Sequence, residues 1–115
     1  MTTDLPVQRK EAFQGGRGHI LLRPLYTPEQ RHGFCNLYAQ VTLEPGCEIG
    51  YHKHTKEAES YYVVEGSGIY NDNGTERRIT KGDITYTPDG CSHGLYNDGT
   101  TNLVIIANII PDQTA

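Results

Sequence analysis

The chain has 115 residues, three cysteines, no tryptophan and a formal net charge of -4. That length holds one domain, which can bury roughly 65% of its extended surface and fold without disulfide staples. No Lys/Arg stripe is present to neutralise phosphates, which sets nucleic acid aside as a partner, and no apolar run reaches the ~18–20 residues that cross a bilayer.

In chain order, residues 1–11 are polar and lack the apolar segment of a secretory leader, so the expected compartment is the cytoplasm. Cys35, Cys47 and Cys91 are odd in number and scattered, which fits reduced thiols there. Residues 14–18, Gln-Gly-Gly-Arg-Gly, read as a flexible loop. They lack the preceding strand, the spacing and the Lys of a phosphate loop. Residues 20–25 suggest an edge strand, and residues 28–32 at best a short turn. The expected division is an N-terminal arm with an edge strand over 1–33 and a β-barrel over 34–115.

From residue 37 strand patterns dominate. Leu37, Ala39, Val41 and Leu43 share one face and Tyr38, Gln40 and Thr42 the other, the period of two of a half-buried strand. Glu44-Pro45-Gly46 ends it. Residues 60–65 are rich in Tyr and Val, which suit a pleated sheet. Asn71-Asp72-Asn73-Gly74 is the strongest hairpin signature, because its tight turn needs positive φ. Residues 76–80, 84–87, 95–97 and 103–110 complete the set, separated by Gly, Pro and Asp turns. Many short strands and no helical period indicate an all-β barrel or sandwich.

Two stretches carry chemistry. His52 and His54 stand two apart on an extended segment, so both imidazoles project from one face. A turn over 55–58 reverses the chain, and Glu59 opens the next strand. Antiparallel partners lie about 5 Å apart, which brings a carboxylate within reach of the same ion. Downstream, Pro88 and Gly90 turn the chain and His93 offers a third imidazole. Three imidazoles and one carboxylate suit one divalent transition metal ion: Mn, Fe, Zn, Ni, Co or Cu. In an octahedral centre two positions stay open, as in catalytic rather than structural sites.

These residues resemble the cupin superfamily. Its first motif, G-x5-H-x-H-x4-E-x6-G, is met by Gly46, His52, His54, Glu59 and Gly66. Its second, G-x5-P-x-G-x2-H-x3-N, is met by Gly82, Pro88, Gly90, His93 and Asn97. The resemblance covers about residues 36–110. It implies a jelly-roll barrel (a double-stranded β-helix), a metal held by His52, His54, Glu59 and His93, and a homodimer formed through N-terminal strands. Residues 20–25 are expected to pair across such a dimer, covering a barrel edge that would otherwise stay open.

Glu57, in the turn, is the rival carboxylate and reads as solvated. His19 and His32 fall outside both motifs and read as surface residues. Tyr61 shares the parity of Glu59 and should face the interior; Tyr86, on the face of Ile84, is weighed with it, and both are candidate catalytic groups. Cys91 precedes His93 by two and reads as a packing residue. The expected function is a metalloenzyme acting on a small oxygen-rich metabolite (a sugar acid, keto acid or hydroxy acid) by isomerisation, decarboxylation or lyase chemistry. The alternatives are an Fe-dependent dioxygenase and a non-catalytic binding or sensing domain. Oxalate-acting members carry a basic residue close to the first His, and residues 47–51 have none, which weighs against oxalate.

Overall fold

The computed structural model describes residues 1–113, so the last two residues of the expected barrel span lie outside the described residues. Ten strands follow one another: β1 (Gln8–Glu11), β2 (His19–Pro24), β3 (Leu37–Leu43), β4 (Glu48–Lys53), β5 (Glu57–Glu65), β6 (Ser67–Asp72), β7 (Thr75–Thr80), β8 (Ile84–Thr87), β9 (Ser92–Tyr96) and β10 (Leu103–Pro111). Two single 3-10 turns, Phe13–Gly15 and Glu29–Arg31, are the only helical elements among the described residues.

The strands form a six-stranded sheet, β1-β2-β3-β10-β5-β8, and a four-stranded sheet, β4-β9-β6-β7, with antiparallel pairing throughout. Their inner faces close on one core in which Ile20, Val41, Ile49, Val63, Leu95 and Ile105 are buried. The alternation read in β3 is what the sheet uses: Ala39, Val41 and Leu43 are buried, and the residues between them are partly exposed. The hairpin between β6 and β7 turns on Asn73 and Gly74, whose φ values of 52° and 102° are those of a tight primed turn.

Asn97, the last residue of the second motif, is a clip. Fully buried, it donates through Nδ2 to the carbonyls of Leu43 and Thr101, both at 2.8 Å, and accepts at Oδ1 from the Gly99 amide. Its backbone bonds to Gly46 and Cys47. One side chain thus fixes the end of β3, the entry to β4 and the turn before β10.

Three expectations are corrected. Residues 20–25 are not a sheet edge: β2 is flanked by β3 on one side and by β1 on the other, so the free edge at that end of the sheet is β1. The charged run Gln8-Arg9-Lys10-Glu11 hides its strand character, since only its pairing with β2 makes it one. Residues 14–18 do not form a free loop either. Gly16 packs backbone to backbone against β4, where a β-carbon on it would overlap the Glu48 carbonyl. Finally, β5 opens at Glu57, two residues earlier than the turn chemistry suggested.

Candidate metal centre

β4 ends on the first two imidazoles. Its pairing with β9 matches Ile49 to Leu95 and then His52 to His93, so β4 uses three steps where β9 uses two. This bulge at Gly50-Tyr51 lets Ile49 and His52 both face inward, which strict alternation forbids. His54 lies just past the strand end and is buried. His93, on β9 directly across from His52, is fully buried.

Glu59 arrives differently from expectation. β5 does not pair with β4; it pairs with β10 and β8 in the other sheet. The carboxylate therefore reaches the imidazoles across the barrel interior, not along a ladder. Glu59 and Tyr61 do share the inward face, as parity predicts, and both are buried.

The four donors converge. His54 Nε2 lies 3.1 Å from His52 Nε2, 2.9 Å from His93 Nε2 and 2.9 Å from a Glu59 oxygen, which is also 2.9 Å from His93 Nε2. All four ligand atoms fall within 4.8 Å of one another. The far sides of the rings set their tautomers. His52 Nδ1 donates to the Gly50 carbonyl at 2.6 Å, and His54 Nδ1 donates to the Glu57 carboxylate at 2.7 Å. Carbonyl and carboxylate oxygens only accept, so both protons sit on Nδ1 and both Nε2 atoms present lone pairs. His93 Nδ1 is held by the Tyr70 hydroxyl at 2.9 Å and the Thr87 hydroxyl at 2.8 Å.

Lone pairs and a carboxylate facing one another at 2.9–3.1 Å repel unless a positive charge lies among them. An octahedral centre with bonds of ~2.1 Å spaces neighbouring donors about 3.0 Å apart, so the residues fit a divalent transition ion. Glu57 is then an outer partner: its second oxygen accepts from Asn36 Nδ2 at 3.2 Å while the first fixes His54. Sequence reasoning left it solvated in its turn; its place three residues after a ligand His was the available signal.

A proton competes for the same place. The Glu59 carboxylate beside His54 raises that imidazole's pKa against the opposing effect of burial, and Glu57 adds to the rise. Burial holds His52 below its ordinary value. Burial also pushes Glu59 up, but hydrogen bonds to His54 and His93 outweigh it and leave the carboxylate below its usual range. His54 must shed its proton before its Nε2 can bind an ion, and its raised pKa means that competition begins above ~6.5. Apparent metal affinity is expected to fall by about tenfold or more per pH unit as the pH is lowered past that point. Chelator competition at pH 8, 7, 6 and 5 checks this, and an affinity that ignores pH contradicts the ligand set.

His52, His54 and Glu59 line a cavity of about 140 Å³, walled by side chains including Ile20, Leu22, Val41 and Ile49, with Gln14, Lys53 and Tyr61 as its non-ligand polar groups besides Glu57. The Tyr61 ring stacks on His93 at 4.7 Å, and its hydroxyl lies 3.3 Å from His93 Nε2. Burial, reinforced by Glu59, raises the Tyr61 phenol well above its ordinary value, so it stays protonated. Tyr86 is not brought to the site. It is 60% exposed on the outer face of β8, and Thr85 and Thr87 face inward in its place. The interior there is polar: Thr87 binds His93 and Tyr70, and Thr85 accepts from the Tyr61 amide. His32 is exposed and Cys91 partly buried; neither joins the cluster. His19 is not a plain surface residue, since it is mostly buried and bonded to Glu44 at 2.6 Å.

The family model described as a cupin domain matches residues 39–109. The chain is a cupin. Both motifs, residues 46–66 and 82–97, lie within the matched stretch. This cupin is 36% identical over 109 residues to a Thermotoga maritima protein named oxalate-binding protein, covering 95% of this chain and 90% of that one. It superposes with a TM-score of 0.91 and 35% identity on a crystal structure from the same organism described as a predicted oxalate decarboxylase, covering 96% of each chain. A cupin domain of Schizosaccharomyces pombe Cnp3 superposes with a TM-score of 0.74 at 16% identity, a likeness of fold.

Proposed function

We propose that this cupin binds a small dicarboxylate of the oxalate class at a divalent ion held by His52, His54, Glu59 and His93. The observation that carries the reading is the cavity: about 140 Å³, apolar along most of its walls and lined by His52, His54 and Glu59, three of the four converging donors. A sugar acid would bring several hydroxyls against Leu22, Val41 and Ile49, more than Gln14, Lys53, Glu57 and Tyr61 can pair. A two-carbon dicarboxylate has only oxygens to satisfy, and adjacent ones chelate. The bound ion supplies the positive charge and the open positions for that chelation.

The side chains present support the remaining oxygens. Tyr61 keeps its proton and can donate a hydrogen bond. Lys53, exposed at the rim, brings a positive charge that residues 47–51 lack, because the basic residue here follows the first His instead of preceding it. The Thermotoga relative named for oxalate binding supports the same ligand class. Calorimetry on the manganese-loaded protein is expected to give saturable oxalate binding that vanishes when the metal is removed. Oxalate binding that is absent from the loaded protein, or unchanged without metal, refutes the reading.

A second reading, oxalate decarboxylation, rests on one observation. Replacing carbon dioxide by hydrogen needs a proton donor, and the Tyr61 hydroxyl beside His93 Nε2 is an O–H group lining the cavity. Formate release by the loaded protein, lost in Tyr61→Phe, is the expected result under that reading. We further place the protein in the cytoplasm as a homodimer: its cysteines are free, and Tyr62, Val64, Ile84, Tyr86 and Ile110 stand exposed on the outer face of the six-stranded sheet. Sedimentation at micromolar concentration should give twice the chain mass; a monomer contradicts it.

A further inference from the structure

β4 carries His52 near its far end, and beside its entry lies a second cluster that the metal site does not use. His19 opens β2, Glu44 follows β3 and Cys47 precedes β4. The Glu44 carboxylate accepts from His19 Nε2 at 2.6 Å, which leaves Nδ1 of that ring as an acceptor. Nδ1 lies 3.8 Å from the Cys47 sulfur. A thiol thus faces a basic nitrogen whose ring is oriented by a carboxylate: nucleophile, base and orienting acid in order.

Cys47 is buried, 5% exposed, and the Gly18 backbone packs directly against its sulfur. Gly18 is itself exposed with φ +66°, and a β-carbon there would stand 2.7 Å from Sγ. The sulfur therefore lies one exposed glycine beneath the surface, with no room between the two for even a methyl group. Among the described residues, neither the Cys35 nor the Cys91 thiol has a base in hydrogen-bond reach, although both are more exposed than Cys47. Exposure and the relay therefore rank the three thiols in opposite orders.

We propose that Cys47, His19 and Glu44 form a reactive-thiol site at which a small hydroperoxide oxidises Cys47. In that step the thiol proton passes to His19 Nδ1, and the sulfur attacks the nearer peroxide oxygen. An S–O bond forms as the O–O bond breaks; sulfur loses two electrons and the peroxide gains them. The departing hydroxide, or alkoxide from an organic hydroperoxide, takes the proton from His19 and leaves as water or alcohol, giving the sulfenic acid. Glu44 holds the ring and stabilises the transient imidazolium.

The test uses the full chain loaded with zinc, which has no redox chemistry of its own. After timed exposure to hydrogen peroxide and a catalase quench, the protein is unfolded and alkylated, and peptide masses report the surviving thiol at each cysteine. Cys47 is expected to disappear about tenfold faster than Cys35 or Cys91, and His19→Gln to remove that advantage without changing the other two rates. The wild-type ranking decides even where the variant fails to fold. Cys35 or Cys91 reacting first, or a Cys47 rate indifferent to His19→Gln, overturns the proposal.

Discussion

His93→Ala is expected to lower metal affinity on the order of 10³-fold, beyond the ~10–100-fold that loss of an outer partner costs. His93 is fully buried, its Nε2 is 2.9 Å from both His54 Nε2 and Glu59, and no neighbouring side chain can replace it as a ligand. Tyr61 lies closest, but its phenol is held protonated by burial and does not supply a lone pair comparable to an imidazole's. Tyr70→Phe provides the contrast. It removes one of two hydroxyls from His93 Nδ1 and leaves Thr87 at 2.8 Å, so the loss should stay within about tenfold. Metal content of the purified variants and the rise in melting temperature on adding manganese both read this difference. A bound ion stabilises the folded state by RT ln(1 + [ion]/Kd), so at an ion concentration between the Kd values of the two variants the rise should vanish in His93→Ala and persist in Tyr70→Phe. Equal behaviour of the two variants would mean that the imidazole at 93 orients others instead of binding the ion.

How far each feature is legible in the sequence depends on the range over which it is decided. The ligands were legible because their chemistry and spacing are local: His52 and His54 within one segment, Glu59 one turn later, His93 after its own Pro-Gly turn. The hairpin at Asn73-Gly74 was legible for the same reason. Features set by which strand meets which were not. The bulge at Gly50-Tyr51 exists because β4 must match β9, whose residues lie some forty positions away. Glu59 crosses the interior because β4 and β5 enter different sheets, although they are adjacent in sequence. Tyr86 was misjudged by hydrophobicity: Ile84 and Tyr86 look like the inward pair, yet the metal centre makes that part of the interior polar and draws Thr85 and Thr87 inside. Polarity inverted the usual rule because the site, not the core, lies behind β8.

Gly50→Ala should show how closely the N-terminal arm and the metal site depend on each other. Gly50 is buried in the bulge, and a β-carbon on it would overlap the Gln14 carbonyl oxygen and sit 2.7 Å from the Gly16 amide nitrogen. Both are backbone atoms of the 3-10 segment and its cap, so no side-chain rotation relieves the clash. Either β4 or residues 13–16 must shift, at an expected cost of about 2–4 kcal/mol, or about 10 °C in melting temperature for a domain of this size. The shift also reaches the metal, because the carbonyl of Gly50 is what holds His52 Nδ1 at 2.6 Å. Gly50→Ala is therefore expected to lose about tenfold in metal affinity as well as stability, though it alters no ligand. Gly99→Ala is the control: its nearest neighbour would be Asn97 Oδ1 at 3.5 Å, an ordinary contact, and its backbone is not in the left-handed region. That variant should melt within about 2 °C of the parent and bind metal equally well. If Gly50→Ala behaved like Gly99→Ala, the arm would not be seated on β4, and the small cavity closed by Phe13 and Gln14 would lose its wall.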